Sequence, residues 1–274
     1  MLKQRIITAF ILLFLLLAAV FELPASGWAV LVGLMVMQGT REWSKLAKMR
    51  GPAVGWYWLV TLILFLAVLW IHFNVSSQQK ITFQLLIYGA SAVFWMGVVP
   101  AWLMGGWKTK NPVLMAVVGW LVLLPTGMAM LDLRIENPQP WWLLGVMGLV
   151  WMADISAYFA GRKFGRHKLA PSISPGKTWE GVAGAMLGVT VYVIVIVVMV
   201  GSGLEQRYSL LLFAIAGVAL SVIGDLFESA IKRQAGVKDS GALLPGHGGL
   251  LDRIDALTST LPLAALVLIL TRVA

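Results

Sequence analysis

SPGKTWEGVAGAMLGVTVYVIVIVVMV, residues 174–200, begins like a phosphate-binding loop and continues as an apolar helix. The two readings lead to different folds. A P-loop needs a glycine five residues before Gly176, and Pro171 stands there. Beyond Gly181 no charged residue occurs before Val200, which is long enough to cross a bilayer. A parallel sheet around this segment is therefore not expected. The local chemistry still suits phosphate. Lys177 is a point charge, and Ser174 and Thr178 can cap a helix or donate hydrogen bonds. Gly181, Gly184 and Gly188 have the spacing of a close helix–helix contact.

The rest of the chain agrees with the membrane reading. Of its 274 residues, 59% are hydrophobic and 12% charged, and the mean hydropathy is +0.87. A soluble domain carries about 25% charged residues. Cysteine is absent, which excludes disulfides and thiolate chemistry. The expected fold is an all-α polytopic membrane protein with about nine spans: 6–22, 27–44, 54–73, 84–104, 112–131, 141–160, 180–200, 209–229 and 256–272. Residues 1–135 hold about five of them. Residues 136–274 hold four, with two long polar loops at 161–179 and 230–255. The second span is interrupted near its end by Thr40, Arg41 and Glu42. The charged start and apolar core of residues 1–20 resemble a signal peptide, but residues 22–24, Glu-Leu-Pro, are no small-residue cleavage site, so a retained helix is expected.

Net charge is +9, and the basic residues sit in short loops between spans. This fits membrane orientation, and no nucleic-acid partner is expected. With the N-terminus in the cytoplasm and spans alternating, only Lys80, Arg134, Arg207 and Arg272 of the 21 Lys and Arg fall outside. Both polar loops then face the cytoplasm and can meet. Trp28, Trp43, Trp107, Trp141 and Trp142 lie near span ends, where an aromatic belt is expected, and the 13 methionines read as packing filler.

Acidic residues divide unevenly. Glu22, Asp132, Glu136 and Glu205 fall in expected outside loops, and Glu42 stands apart. Asp154 and Glu180 bracket the first cytoplasmic loop, while Asp225, Glu228, Asp239, Asp252 and Asp255 bracket the second. Carboxylates at membrane depth are costly and point to function. In GDLFESAIKR, 224–233, Asp225, Glu228, Ser229 and Lys232 share one helix face. A salt bridge to Lys232 would account for either acid alone. Two carboxylates one turn apart can also hold Mg²⁺, which takes one or two carboxylates plus water and phosphate oxygens.

KDSGALLPGHGGLLDRID, 238–255, repeats the spacing with Asp252 and Asp255 at the start of the last span. Gly248 and Gly249 permit close approach of backbone N–H groups to an anion, and the helix start favours one. Asp225 and Asp252 could face each other and share the metal, and His247 could orient a phosphate or accept a proton. In the first loop, Asp154 and Tyr158 share a face. Arg162, Lys163, Arg166, His167 and Lys168 form a basic run suited to phosphates or to a lipid surface. Together the loops suit phosphoryl or nucleotidyl transfer, where catalysis is largely positioning and charge stabilisation.

SAIKRQAGVKDSGALLPGHGGLLDRID, 229–255, resembles the signature of the phosphatidate cytidylyltransferases, also called CDP-diacylglycerol synthases. The pattern comprises a serine, Lys-Arg, Lys-Asp, His-Gly-Gly and Asp-Arg-x-Asp at fixed spacing. DISAYFAGRKFG and SISPGKTWEG upstream are similar to a second conserved block. The likeness covers roughly the C-terminal half. It implies attack of phosphatidic acid on the α-phosphorus of CTP, giving CDP-diacylglycerol and pyrophosphate at the inner membrane, with Mg²⁺ required. It further implies that Asp225 and Asp252 hold the metal, supported by Glu228 or Asp255. Lys177, Lys232, Arg233 and Arg253 would bind the phosphates. Ser174, Thr178, Ser229, Lys238, Asp239, Gly248 and Gly249 complete the expected substrate contacts, with a lesser part for His247. A homodimer through membrane helices is implied as well. A CTP-using polyprenol or dolichol-type lipid kinase is the neighbouring alternative. An ion-coupled transporter would need a matching polar set in the first half, which is lacking.

Overall fold

A computed structural model describes residues 2–135, 140–200, 204–243 and 248–273, with backbone alone described at 2–9, 200, 204–212 and 273. The helices are α1 (Leu2–Glu22), α2 (Ala25–Leu46), α3 (Pro52–Asn74), α4 (Ser77–Val93), α5 (Val99–Gly105), α6 (Pro112–Ile135), α7 (Trp141–Phe164), α8 (Trp179–Val200), α9 (Leu204–Ala235) and α10 (Leu251–Val273). α4 runs into α5 through a single π-helical stretch, Phe94–Val98. Among the described residues, seven segments are long and apolar enough to cross a membrane: α3, α4 with α5, α6, α7, α8, Phe213–Ala235 of α9 and Leu251–Arg272 of α10. The chain is thus an α-helical polytopic membrane protein. α2 is not among the seven, yet it continues unbroken through Thr40–Glu42, whose Thr40 and Glu42 side chains are buried.

α6, α9 and α10 form the enclosed centre, whereas α3 and α8 turn most of their apolar surface outward. Leu187, Val191 and Val198 of α8 are exposed, as suits a helix whose solvent is lipid. Glycines set the close approaches. A Cβ at Gly184 or Gly188 would run into Ala160 or Ser156 of α7, so the glycine spacing of α8 does serve tight helix packing. At Gly224 a Cβ would lie 2.6 Å from Ser259 Oγ and 2.8 Å from the Asp255 carbonyl. That glycine lets α9 and α10 touch beside Asp225 and Asp255. On the other flank Phe227 of α9 meets Phe94, Trp95 and Trp102 edge-on, at ring-centroid distances of 5.6, 5.6 and 5.8 Å. α9 is thereby fixed on both sides.

Three expectations need correction. The first polar loop is not wholly irregular: β1 (Lys168–Ala170) and β2 (Ser174–Thr178) form an antiparallel hairpin. Trp28 and Trp43 are not belt residues. Both are buried and donate from Nε1 to carbonyls of α6, Met130 at 2.9 Å and Met115 at 2.7 Å. A position near a span end does not say which way the indole points. Trp107, Trp141 and Trp142 are exposed, as a belt requires. Asp132 is not in a loop either. α6 continues past it to Ile135, and its buried carboxylate receives His72 Nδ1 at 3.0 Å, Gln84 Nε2 at 2.9 Å and the Tyr88 hydroxyl.

Candidate active site

The hairpin is tied to the start of α8. Thr178 Oγ1 accepts the Gly181 N–H at 3.1 Å, the cap its sequence position suggested. The Trp179 N–H donates to the His167 carbonyl at 3.0 Å, and His167 Nδ1 lies 2.6 Å from Glu180 Oε1. Gly161 and Gly181 let α7 and α8 cross where Thr178 sits, their Cα atoms close enough that a Cβ on Gly181 would lie 3.7 Å from Gly161 Cα. These ties aim Lys177 of β2 inward, where its Nζ is 2.6 Å from Asp225 Oδ2 of α9. The first polar loop thus reaches α9 at Asp225, just ahead of the second loop.

This meeting encloses a cavity of about 460 Å³ between α7, α8, α9 and the hairpin. Asp154, Tyr158, Arg162, Ser174, Lys177 and Asp225 provide its polar lining. The size is that of a small-molecule site. Arg162, exposed at the end of α7, accompanies the half-buried Lys177. Asp154 is within electrostatic reach of Asp225, Lys177 and Arg253. Ser229 Oγ donates to Asp225 Oδ1 at 3.2 Å.

The second loop is organised by Asp252. Lys232 Nζ lies 2.6 Å from Asp252 Oδ1 and 3.2 Å from Glu228 Oε2, which joins α9 to α10. The salt bridge from Glu228 to Lys232 that the sequence allowed is therefore formed. Asp252 Oδ2 accepts the Ser240 and Gly249 N–H groups, both at 2.8 Å. Gly248 has φ +80°, and a Cβ there would lie 2.5 Å from Asp252 Oδ2, so both conformation and space call for glycine. Arg233, Lys238, Asp239 and Arg253 are exposed around this loop. His247 lies outside the described residues.

Asp225 and Asp252 do not bond to the same partner: the first meets Lys177, the second Lys232, and only Asp225 lines the cavity. Among the described residues no three His, Asp or Glu side chains form a ready-made metal cage. The donor set nonetheless fits Mg²⁺, which needs only one or two carboxylates alongside water and phosphate. Glu228 Oε1 is buried with no hydrogen-bond partner among the described residues. Asp255 lies within electrostatic reach of Asp225, Asp154 and Glu228. So many acids at membrane depth call for cations, and Lys177 and Lys232 supply only part of that charge.

One residue of this region escaped the sequence reading. Glu42, from α2, is buried against the second loop, with Ser240 Oγ 2.7 Å from its Oε2. The available signal was an acid at the end of a span within a basic run, Arg41, Lys45, Lys48 and Arg50.

The sequence model of the cytidylyltransferase family matches residues 3–271. The chain is 36% identical over 279 residues to the phosphatidate cytidylyltransferase of Haemophilus influenzae, covering 96% of each chain. It is 38% identical over 288 residues to that of Pseudomonas aeruginosa, covering 98% of this chain and 97% of the relative. To that of Thermotoga maritima it is 44% identical over 126 residues, 44% of this chain and 47% of the relative. The likeness thus runs through the N-terminal half, beyond the C-terminal motifs. The chain belongs to the cytidylyltransferase family.

Proposed function

We propose that this chain is a phosphatidate cytidylyltransferase of the inner membrane, transferring CMP from CTP to phosphatidic acid at the cytoplasmic face. The observation that carries this reading is the cavity in which Lys177, Arg162 and Asp225 meet beside lipid-facing helices. An oxygen of the phosphatidate phosphate attacks the α-phosphorus of CTP. The bond from that phosphorus to the bridging oxygen breaks, and pyrophosphate leaves with the electron pair. The attacking phosphate is already anionic, so no side chain has to remove a proton to create the nucleophile.

Lys177, carried by the hairpin strand that also holds Ser174 and Thr178, and Arg162 at the end of α7 bind phosphate oxygens in the cavity. Lys232 is half of a carboxylate pair on each side, which fixes its ammonium between α9 and α10. Arg233, Lys238 and Arg253 add positive charge on the exposed approach beside Asp239, while Gly248 and Gly249 let the backbone close around Asp252. Asp225 and Asp252 would hold Mg²⁺, with Glu228 and Asp255 in support; Asp225 lines the cavity, and Asp252 would have to exchange part of its pairing with Lys232 for the ion. When bound, the ion supplies neutralisation of the triphosphate charge.

The proposed topology has nine spans, α1 and α2 added to the seven, with the N-terminus in the cytoplasm. The distribution of Lys and Arg supports it. Two copies associate through membrane helices. The test is incubation of purified protein with Mg²⁺, phosphatidic acid and CTP labelled at either the α- or the γ-phosphate. Transfer of α-label to lipid with release of pyrophosphate is expected. γ-Label in the lipid would instead support the lipid kinase.

A further inference from the structure

We infer that Glu42 is a positioning residue for CMP transfer, holding Ser240 and the start of α10 so that Asp252 and Lys232 stay aligned; this rests on the transferase reading. Glu42 is 1% exposed. Its Oε1 accepts Gln38 Nε2 at 2.9 Å and the Leu250 N–H at 2.8 Å. Its Oε2 accepts Ser240 Oγ at 2.7 Å and the Leu251 N–H at 2.9 Å. Two donors on each oxygen match what an ionised carboxylate can accept.

Three of those four donors come from Ser240 and from Leu250 and Leu251, next to Asp252. The Leu250 and Leu251 N–H groups belong to the start of α10, where backbone donors have no partner within the helix. A carboxylate is also favoured there by the helix dipole. Glu42 therefore caps α10 from a helix roughly two hundred residues away in sequence. Space is reserved for it: a Cβ at Gly241 would lie 3.0 Å from Glu42 Oε1, and one at Gly249 would collide with both Glu42 and Ser240.

The tie passes directly to the site. Ser240 bridges the two carboxylates: its hydroxyl donates to Glu42 Oε2 at 2.7 Å and lies 3.0 Å from Asp252 Oδ2, while its backbone N–H donates to Asp252 Oδ2 at 2.8 Å. Asp252 in turn meets Lys232 through its other oxygen. Loosening Glu42 thus releases one side of Asp252 without touching the cavity lining.

Full-length Glu42→Gln and Ser240→Ala proteins, purified in phosphatidate-containing micelles, test this against the parent chain. Glu42→Gln is expected to lower kcat about 10–100-fold, the usual cost of losing an outer partner of a site carboxylate, with KM for CTP within about threefold. Amide exchange at Leu250 and Leu251 is expected to quicken. The double variant is expected to lose less than the product of the single losses, since both act through one bridge. A folded Glu42→Gln protein with kcat within about twofold of the parent, or a loss confined to KM, would overturn the inference. If Glu42→Gln does not fold, Ser240→Ala decides: a drop in kcat supports the inference and an unchanged kcat refutes it. A parent chain that transfers no label would count against the transferase reading, while exchange at Leu250 and Leu251 would still decide whether Glu42 holds the start of α10.

Discussion

Asp132 and Asp225 are both carboxylates within apolar helices, and their surroundings differ in kind. Asp132 is buried and receives an imidazole, an amide and a phenol from α3 and α4. Asp225 is partly open to a cavity, where its partners are a lysine from another loop and one hydroxyl. The first arrangement ties helices together: a buried acceptor on α6 is matched by buried donors from α3 and α4. The second leaves charge and space for a ligand. An acid at membrane depth is thus a pointer to function only after its partners are known.

This contrast yields graded expectations. Asp225→Asn should produce the largest effect, a fall in α-label transfer of about 10²–10³-fold or more in a protein that still folds, as expected when a charge-stabilising group is removed. Rates at saturating substrate check it, and near-parental turnover would erase the distinction. Asp132→Asn should leave turnover per folded molecule within about threefold. It should lower unfolding stability in detergent by about 1–3 kcal/mol, the cost of unsatisfied buried donors. A large loss of turnover with unchanged stability would reverse the roles of the two acids. The smallest effect separates buried from belt tryptophans. Trp28→Phe, which loses the bond to the Met130 carbonyl, should cost about 1 kcal/mol. Trp141→Phe at an exposed position should stay within about 0.5 kcal/mol. Equal effects would restore the belt reading for both.

The helices could be read from the sequence because spanning requires apolar length, and that signal is local. α3 to α10 overlie the expected spans, with ends that run beyond them: α4 starts at Ser77, α6 continues to Ile135, α9 extends to carry Lys232 and Arg233, and α10 starts at Leu251. The site was visible as residue types: Lys177, Asp225, Lys232 and Asp252 stand out because charge is rare in the chain. Their pairing was not visible. Whether Asp225 faces Asp252 or Lys177 depends on the hairpin bonds of His167, Thr178 and Glu180, which depend on folding of the first loop onto α8. Glu42 was hidden for the same reason. Its partners are far away in sequence, and no local period links α2 to the start of α10. Asp132 was misplaced by the fuzziness of a helix end, a few residues that decide between loop and buried helix.

The absence of cysteine in the chain allows a single reporter to be placed in the cavity. Ser174→Cys puts a thiol in the hairpin lining while keeping Lys177 and Asp225. The variant would be treated with a membrane-impermeant maleimide in right-side-out and inverted vesicles, with and without CTP and Mg²⁺; a Lys80→Cys variant would report the opposite face. Ser174→Cys is expected to be labelled only in inverted vesicles and to be strongly protected by CTP, with Lys80→Cys labelled only from the other side and unprotected. Labelling of Ser174→Cys that is indifferent to CTP, or that occurs only from the outer face, would contradict the proposed site.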